Sequence, residues 1–379
     1  MHSTLLHGVL IVDRRSFLHN TAFLLGAVGL PALAATTSPT SPTRVAGGWR
    51  MADRDFQVGV VEVDWAAQQV RVAAAATVAS LPHAVVPQAD GSFLAVATRP
   101  GTWMVRVDTQ GQVSHRLDMA DEGNRRTLDG HVIASLDGQW LYTGETDRQS
   151  GDGWVSVRDA RNLRKVAEHR THGLDPHQIL VDDQGALVIA NGGIPRTPAG
   201  DKRNLEQMNP VLVRLDPTTG EKLGEWSLQD KRLAPHHIAW NHAQGGHRLL
   251  GIGLQAEHDD PAQRRDAPLL AVWDGHKLFV PSITVAEGYA GDVAAGPNGG
   301  FVLSAQRANR ILLWQPQQPG QLTTIGKVQN PCGLWPMADA PGVAIGGGLG
   351  LARWHATDGA AMLRWPSGLS AGNHWAILA

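Results

Sequence analysis

The whole chain holds one cysteine, Cys332. No intramolecular disulfide can form, so packing alone must hold the fold. An excess of basic charge is missing too. Thirty-three Lys and Arg stand against 35 Asp and Glu, a formal net charge of −2. That balance excludes a nucleic-acid surface, where basic side chains supply most of the affinity. After residue 34 no apolar stretch reaches the ~20 residues that a membrane-crossing helix needs, so no integral membrane segment is expected there. Also absent are C-x-x-C, H-E-x-x-H, a phosphate-binding glycine loop and a nucleophile elbow. A local motif for chemistry is therefore lacking, and any site must be assembled from residues distant in sequence.

Residues 1–34 have the character of an export signal. Asp13-Arg14-Arg15-Ser16-Phe17-Leu18 precedes an apolar stretch from Thr21 to Leu33, and Ala32-Leu33-Ala34 forms a small-residue cleavage site. The paired arginines before Ser-Phe-Leu resemble a twin-arginine signal, which implies a periplasmic location and export in the folded state. Residues 35–43, with the run TTSPTSPT, read as a disordered linker. The rest, 44–379, shows no composition shift that marks a second domain.

Within 44–379 one pattern returns seven times. Two strand-like apolar runs flank a turn-rich break at Val61, Val105, Val155, Leu212, Leu270, Leu312 and Leu351. The copies are spaced by roughly 40–60 residues, the period of a propeller blade. Between them lies a second element: a small polar head, an apolar run, a turn, and another apolar run. Copies begin at Pro82, Gly130, Pro176, Pro235, Tyr289 and Pro331. A seventh inner strand is missing near the start, and the chain ends instead in NHWAILA from Asn373. The expectation is an all-β, seven-bladed β-propeller in which the C-terminal strand completes the first blade and so removes open sheet edges.

Such a ring would bring the heads together at one mouth of the axis. Their register holds His83, His131, His177, either His236 or His237, Gly291 with Asp292 beside it, Cys332 and His374. Imidazole, thiol and carboxylate are ligands for Zn, Cu or Fe. The second strands return to the same mouth and end at Arg99, Glu145, Asn191, Gln255 and Arg307. These groups suit the orientation of ligating histidines or the binding of an anion through arginine. The connections 192–209 and 257–268 are long enough to cover the mouth. A purely structural reading stands beside this one. Propellers place Gly-His pairs such as Gly130-His131 in this loop to hydrogen-bond within a blade.

Taken together, LDGHVIASLDGQWLYTGETD, LDPHQILVDDQGALVIANGG, the Tyr289–Asp292 element, Pro331-Cys332-Gly333 and Asn373-His374 resemble an uncharacterised family of exported bacterial propellers, domain of unknown function 1513. The resemblance covers nearly the whole chain after the signal. In that family one His directly precedes the apolar run at the fourth head, which favours His237 over His236. Family genes tend to sit beside those of imelysin-like and dihaem-peroxidase-like exported proteins, which implies iron handling and periplasmic iron-uptake partners. The strand-pair pattern is also similar, more weakly, to seven-bladed lactonases.

Three functions follow as expectations. The first is a metal- or haem-binding propeller for iron acquisition, with Fe or Cu or haem held by His83, His131, His177, His237, His374 and Cys332. Arg99, Glu145, Asn191 and Arg307 would surround the bound group. The second is a lactonase-like hydrolase using Glu145, His177, Asn191 and Arg307. The third is a non-catalytic platform for a protein partner. A monomer is expected.

Overall fold

In the computed structural model, the described residues are 42–52, 55–242, 246, 248–281, 288–337 and 342–378. Contacts divide the chain into Met1–Thr40 and Ser41–Ala379. The first unit, with the signal and most of the linker expected from sequence, lies outside the described residues. Regular structure begins with a strand at Thr43.

The second unit is a ring of seven four-stranded antiparallel sheets. Blade 1 joins the chain ends in the order Ser370–Ile377, Thr43–Arg50, Phe56–Asp64 and Gln69–Val78. Six blades follow in sequence, with innermost strands Pro82–Pro87, Arg126–Ala134, Pro176–Val181, Leu233–His242, Ala290–Ala295 and Leu334–Pro336. The expected fold class is therefore what forms, including closure by the C-terminal strand.

Position in the blade sets the hydrophobic pattern. The second strands FLAVA, LVIAN, FVLSA and GVAIG are buried at every residue. Each lies between two neighbouring blades, so both of its faces are covered and no alternation is needed. Outer strands such as QVRVAAAATV and VSHRLD are mostly exposed or half-buried. The apolar clusters run between adjacent blades; one joins Ala46, Val58 and Val60 of blade 1 to Phe93, Ala95 and Trp103 of blade 2. Truncating a side chain as buried as Phe93 costs about 3–5 kcal/mol.

Closure is packed as tightly as the rest. Val45, Ala46 and Gly47 pair with Ile377, Ala376 and Trp375. The Trp375 ring lies over Gly47, where a Cβ would meet it at 2.1 Å. Trp375 also stacks between Trp365 and Trp49, at centroid separations of 4.5 and 5.9 Å.

Candidate metal centre in the axial channel

At six of the seven heads the inner strand bulges. Pro82 pairs with Ala97 and Ala84 with Val96, which leaves His83 as the extra residue. In blade 3, Asp129, Gly130 and His131 stand opposite the single residue between Thr143 and Glu145. His177 lies in the shift between Pro176 and Ile179. His236 and His237 lie in that between Pro235 and Ile238. Gly291 and Asp292 fall between Ala290 and Val293. In blade 1, Gly372 to His374 lie in the shift between Ala371 and Trp375. A bulge re-aims a side chain out of the regular alternation, and here it turns the heads toward the axis. Gly130 is required for this turn. Its φ is +99°, and a Cβ there would lie 2.6 Å from the His83 ring.

Five imidazoles meet as a result. Ring centroids are 4.8 Å apart for His83–His131, His131–His177 and His83–His374, 4.6 Å for His177–His237 and 4.7 Å for His237–His374. One ligand nitrogen from each of His83, His131, His177 and His237 lies within 4.8 Å of the others. His237, Asp292 and His374 form a second, overlapping group. Of the two adjacent histidines, His237 joins the ring, while His236 stacks on His177 at 4.4 Å.

Protonation favours ligation. Burial pushes His83, His131, His177 and His237 well below the usual imidazole range, and positive neighbours, including other ring histidines and Arg99, add to the effect. They are neutral at neutral pH, the form that binds metals. His374 Nδ1 lies 3.2 Å from Asp292 Oδ2. Asp292 also accepts from the backbone N–H groups of Val293 and Leu334, both at 2.8 Å. A carboxylate only accepts, so Nδ1 carries the proton, and in the neutral ring Nε2 is left as the ligand atom. This is the carboxylate–histidine arrangement that orients metal ligands.

Little else satisfies the cluster. Six buried ring nitrogens have no protein partner: Nε2 of His83, His131, His236 and His374, and Nδ1 of His177 and His237. One unsatisfied buried polar group costs about 1–3 kcal/mol; an ion in the cluster would compensate Nε2 of His83, His131 and His374, while Nδ1 of His177 and His237 face away from it. His177 Nε2 and His237 Nε2 are 3.0 Å apart. Without an ion this is an N–H···N hydrogen bond between the two rings; two nitrogens each about 2.1 Å from one ion would lie about 3.0–3.4 Å apart, so the pair could hold one with little movement. The donor set fits a bare transition-metal ion. The Asn373 side-chain amide meets His83 Nδ1 at 3.2 Å. With its oxygen turned toward the ring, it would leave the His83 Nε2 lone pair facing the cluster.

The other residues expected at the site fare differently. Cys332 is half-buried, and its Sγ faces Gly291 O at 3.9 Å. Burial, with the Asp292 charge, pushes its thiol up. It stays protonated and is absent from the converging groups, so its expected ligand role finds no geometric support. Glu145 is turned away into blade 3. There it pairs with Arg158 at 2.7 Å and approaches Arg126 at 3.8 Å, which consumes its charge. Asn191 donates to Thr171 O, in the outer strand of blade 3, at 3.2 Å and so ties two blades rather than facing the ring. Arg307 is exposed and lies over the Tyr289 ring, 4.7 Å from the centroid.

Arg99 does belong near the heads, through Asp175. That carboxyl accepts from Arg99 Nη1 at 2.9 Å and from Arg196. Burial alone would raise the pKa of Asp175, but the two guanidiniums outweigh it and the net shift is downward. Neighbouring Asp129 is pushed well above the carboxylate range by burial, with the Asp175 charge adding to it. The residues missed from sequence are thus Asp129, Asp175, Arg196 and the role of Asp292. A signal was present: Asp stands two residues before both His131 and His177, in Leu-Asp-Gly-His and Leu-Asp-Pro-His.

No curated protein matches the chain in sequence. Several solved structures are similar to it in fold. A putative 6-phosphogluconolactonase from Bacteroides fragilis is 11% identical with TM-score 0.59, covering 90% of this chain and 99% of its own. A functionally unknown protein from Desulfotomaculum acetoxidans is 9% identical with TM-score 0.57, at 89% and 99% coverage. A catalytically inactive virginiamycin B lyase from Staphylococcus aureus with quinupristin is 11% identical with TM-score 0.56, at 78% and 92% coverage. At these identities the likeness concerns the fold alone. The family profile described as Protein of unknown function (DUF1513) matches residues 76–378, nearly the whole propeller with every histidine of the ring, and the chain belongs to that family.

Proposed function

We propose that this propeller binds a divalent transition-metal ion in its axial channel, through His83, His131, His177, His237 and His374. The observation that carries the reading is the convergence of five buried imidazoles, one oriented by Asp292, on a space where protein partners are lacking. Imidazole donors suit iron, copper, zinc or nickel, and a neutral donor set suits a divalent ion better than a trivalent one. Rings this close leave no slot for a porphyrin plane, so the proposal is for a bare ion rather than haem.

We place the protein in the periplasm as a component of iron acquisition, working beside other exported iron-uptake proteins. The twin-arginine pattern at Arg14-Arg15 supports the location. The gene neighbourhood of the resembled family supports the process. Lactonase chemistry is the weaker reading, because a general base must reach its substrate and Glu145 is held by Arg158.

The test is metal analysis of the mature protein purified without chelator, then reloaded with Fe(II), Cu(II) or Zn(II). Near-stoichiometric metal, lost in His131→Ala and His177→Ala, supports the proposal. Wild-type protein that takes up none of the three leaves the partner-binding platform as the better account.

A further inference from the structure

Beside the histidine ring, the inner strands line a cavity of about 330 Å³. Its inner end is formed by His131, Asp292 and His374. Its walls are mainly apolar, with Val85, Ile179, Ile238 and Val293 among the lining, and the polar Gln178 there is taken up by the Ile238 N–H. Toward the far mouth come Val86, Ile133, Leu180, Trp240, Ala295 and Trp335, all half-buried, and the exposed Pro336. The cavity thus runs from solvent to the cluster.

The opposite side of the cluster has another character. His236 caps His177, and beyond it lie Arg99, Asp175 and Arg196. Lys202, paired with Glu257, lies nearby. A small molecule approaching there meets fixed ion pairs, whereas one approaching through the cavity meets hydrocarbon. The Asp292 carboxylate, already bonded to His374 and two backbone N–H groups, is the one charged side chain in the cavity lining. Moving an unpaired anion through such a wall is costly, while a polarizable, uncharged molecule gains by leaving water. Apolar cavities smaller than this one bind xenon.

Resting on the metal reading above, we propose that the axial cavity is an access and binding channel that brings a small uncharged molecule, of the class of dioxygen or nitric oxide, to the ion. The charged mouth and the apolar channel then have separate tasks. The strands that supply the ligands also supply the route toward them.

The experiment uses the mature wild-type protein and two narrowed variants, Ala295→Phe and Ala239→Phe. Both positions are half-buried lining residues and neither is a ligand; Ala295 lies outside the apolar clusters, whereas Ala239 also packs against the cluster around Phe301, so Ala295→Phe is the deciding variant. Xenon binding is followed by 129Xe NMR on metal-free protein. Nitric oxide association is followed by stopped-flow absorbance on Fe(II)-loaded protein, with iron content measured in each sample. Saturable xenon binding in wild type is expected, weakened in both variants. The nitric oxide rate should fall roughly tenfold in the variants, about 1.4 kcal/mol of barrier, at unchanged iron content. Iron bound with the same nitric oxide rate in all three proteins overturns this inference alone, as does a wild type that binds no xenon. Failure of the wild type to hold iron or any other metal overturns the metal reading and this inference with it.

Discussion

His374 donates from Nδ1 to Asp292 Oδ2 across 3.2 Å, although the two are 82 positions apart in sequence. The contact joins blade 1 to blade 6, and the same carboxylate accepts from Leu334 N–H in blade 7. One acid thus orients a ring histidine and fastens three blades at the axis. Asp292→Asn keeps the size and one acceptor but removes the charge that fixes the tautomer. Metal affinity, measured by competition with a chelator, should fall about 10–100-fold, the usual effect of losing such an outer partner. An unchanged affinity would show that Asp292 serves blade closure only.

The ring histidines are a burden to the metal-free fold and an asset to the loaded one. His131 is 7% exposed and its Nε2 has no protein partner. In His131→Ala the metal-free protein should unfold within a few degrees of metal-free wild type. The increase in melting temperature that wild type gains on adding metal should largely disappear, since ligand binding to the native state is what supplies it. Calorimetry with and without metal reads both effects. A large loss in the metal-free variant would instead favour the structural role of the Gly-His pair.

Acid should weaken the metal-free protein. Burial holds His83, His131, His177 and His237 below their ordinary value of 6.5. The unfolded chain therefore takes up protons near pH 6.5 that the native state refuses. The unfolded state binds more protons, so stability rises with pH. This contribution is fully present above about pH 6.5 and is lost as pH falls below it, by up to about 1.4 kcal/mol per histidine per pH unit. Urea titrations between pH 7.5 and 5 should show a declining midpoint. The slope should flatten when the ring histidines are replaced by Gln in pairs. Protons compete with the ion as well, so metal should be released over the same range.

Glu145 should matter to stability and not to metal. Its carboxylate and the Arg158 guanidinium are both fully buried, with Arg158 also held by Glu122. Glu145→Ala leaves a buried cation short of one partner, a loss of about 3 kcal/mol. Metal affinity of the folded protein should stay at the wild-type value. A variant that folds normally but loses metal would restore Glu145 to the site.

The fold was legible because its signals are local and repeated. Strand pairs around turns such as Asp216–Gly220 recur at blade spacing, and the orphan strand at Asn373 had only one vacancy to fill. The histidine heads were legible for the same reason, since a fixed register in each repeat becomes a fixed place around the axis. Glu145 was misplaced because its carboxylate, on the same face of its strand as Thr143, is taken by Arg158 of the neighbouring strand, a pairing that no periodicity shows. Cys332 shared the register of the ring but not its outcome, because its blade begins with the short strand Leu334–Pro336 and leaves the thiol on Gly291.

The sequence alone determined seven repeats, their closure and the residue types at each head, all of which follow from hydrophobic pattern and spacing. Tertiary structure decided which heads meet. That choice rests on bulge geometry, on the glycine that lets His131 pass beside His83, and on Asp292, which fixes His374. Those contacts join residues tens to hundreds of positions apart, and they exist only once the blades have packed against one another.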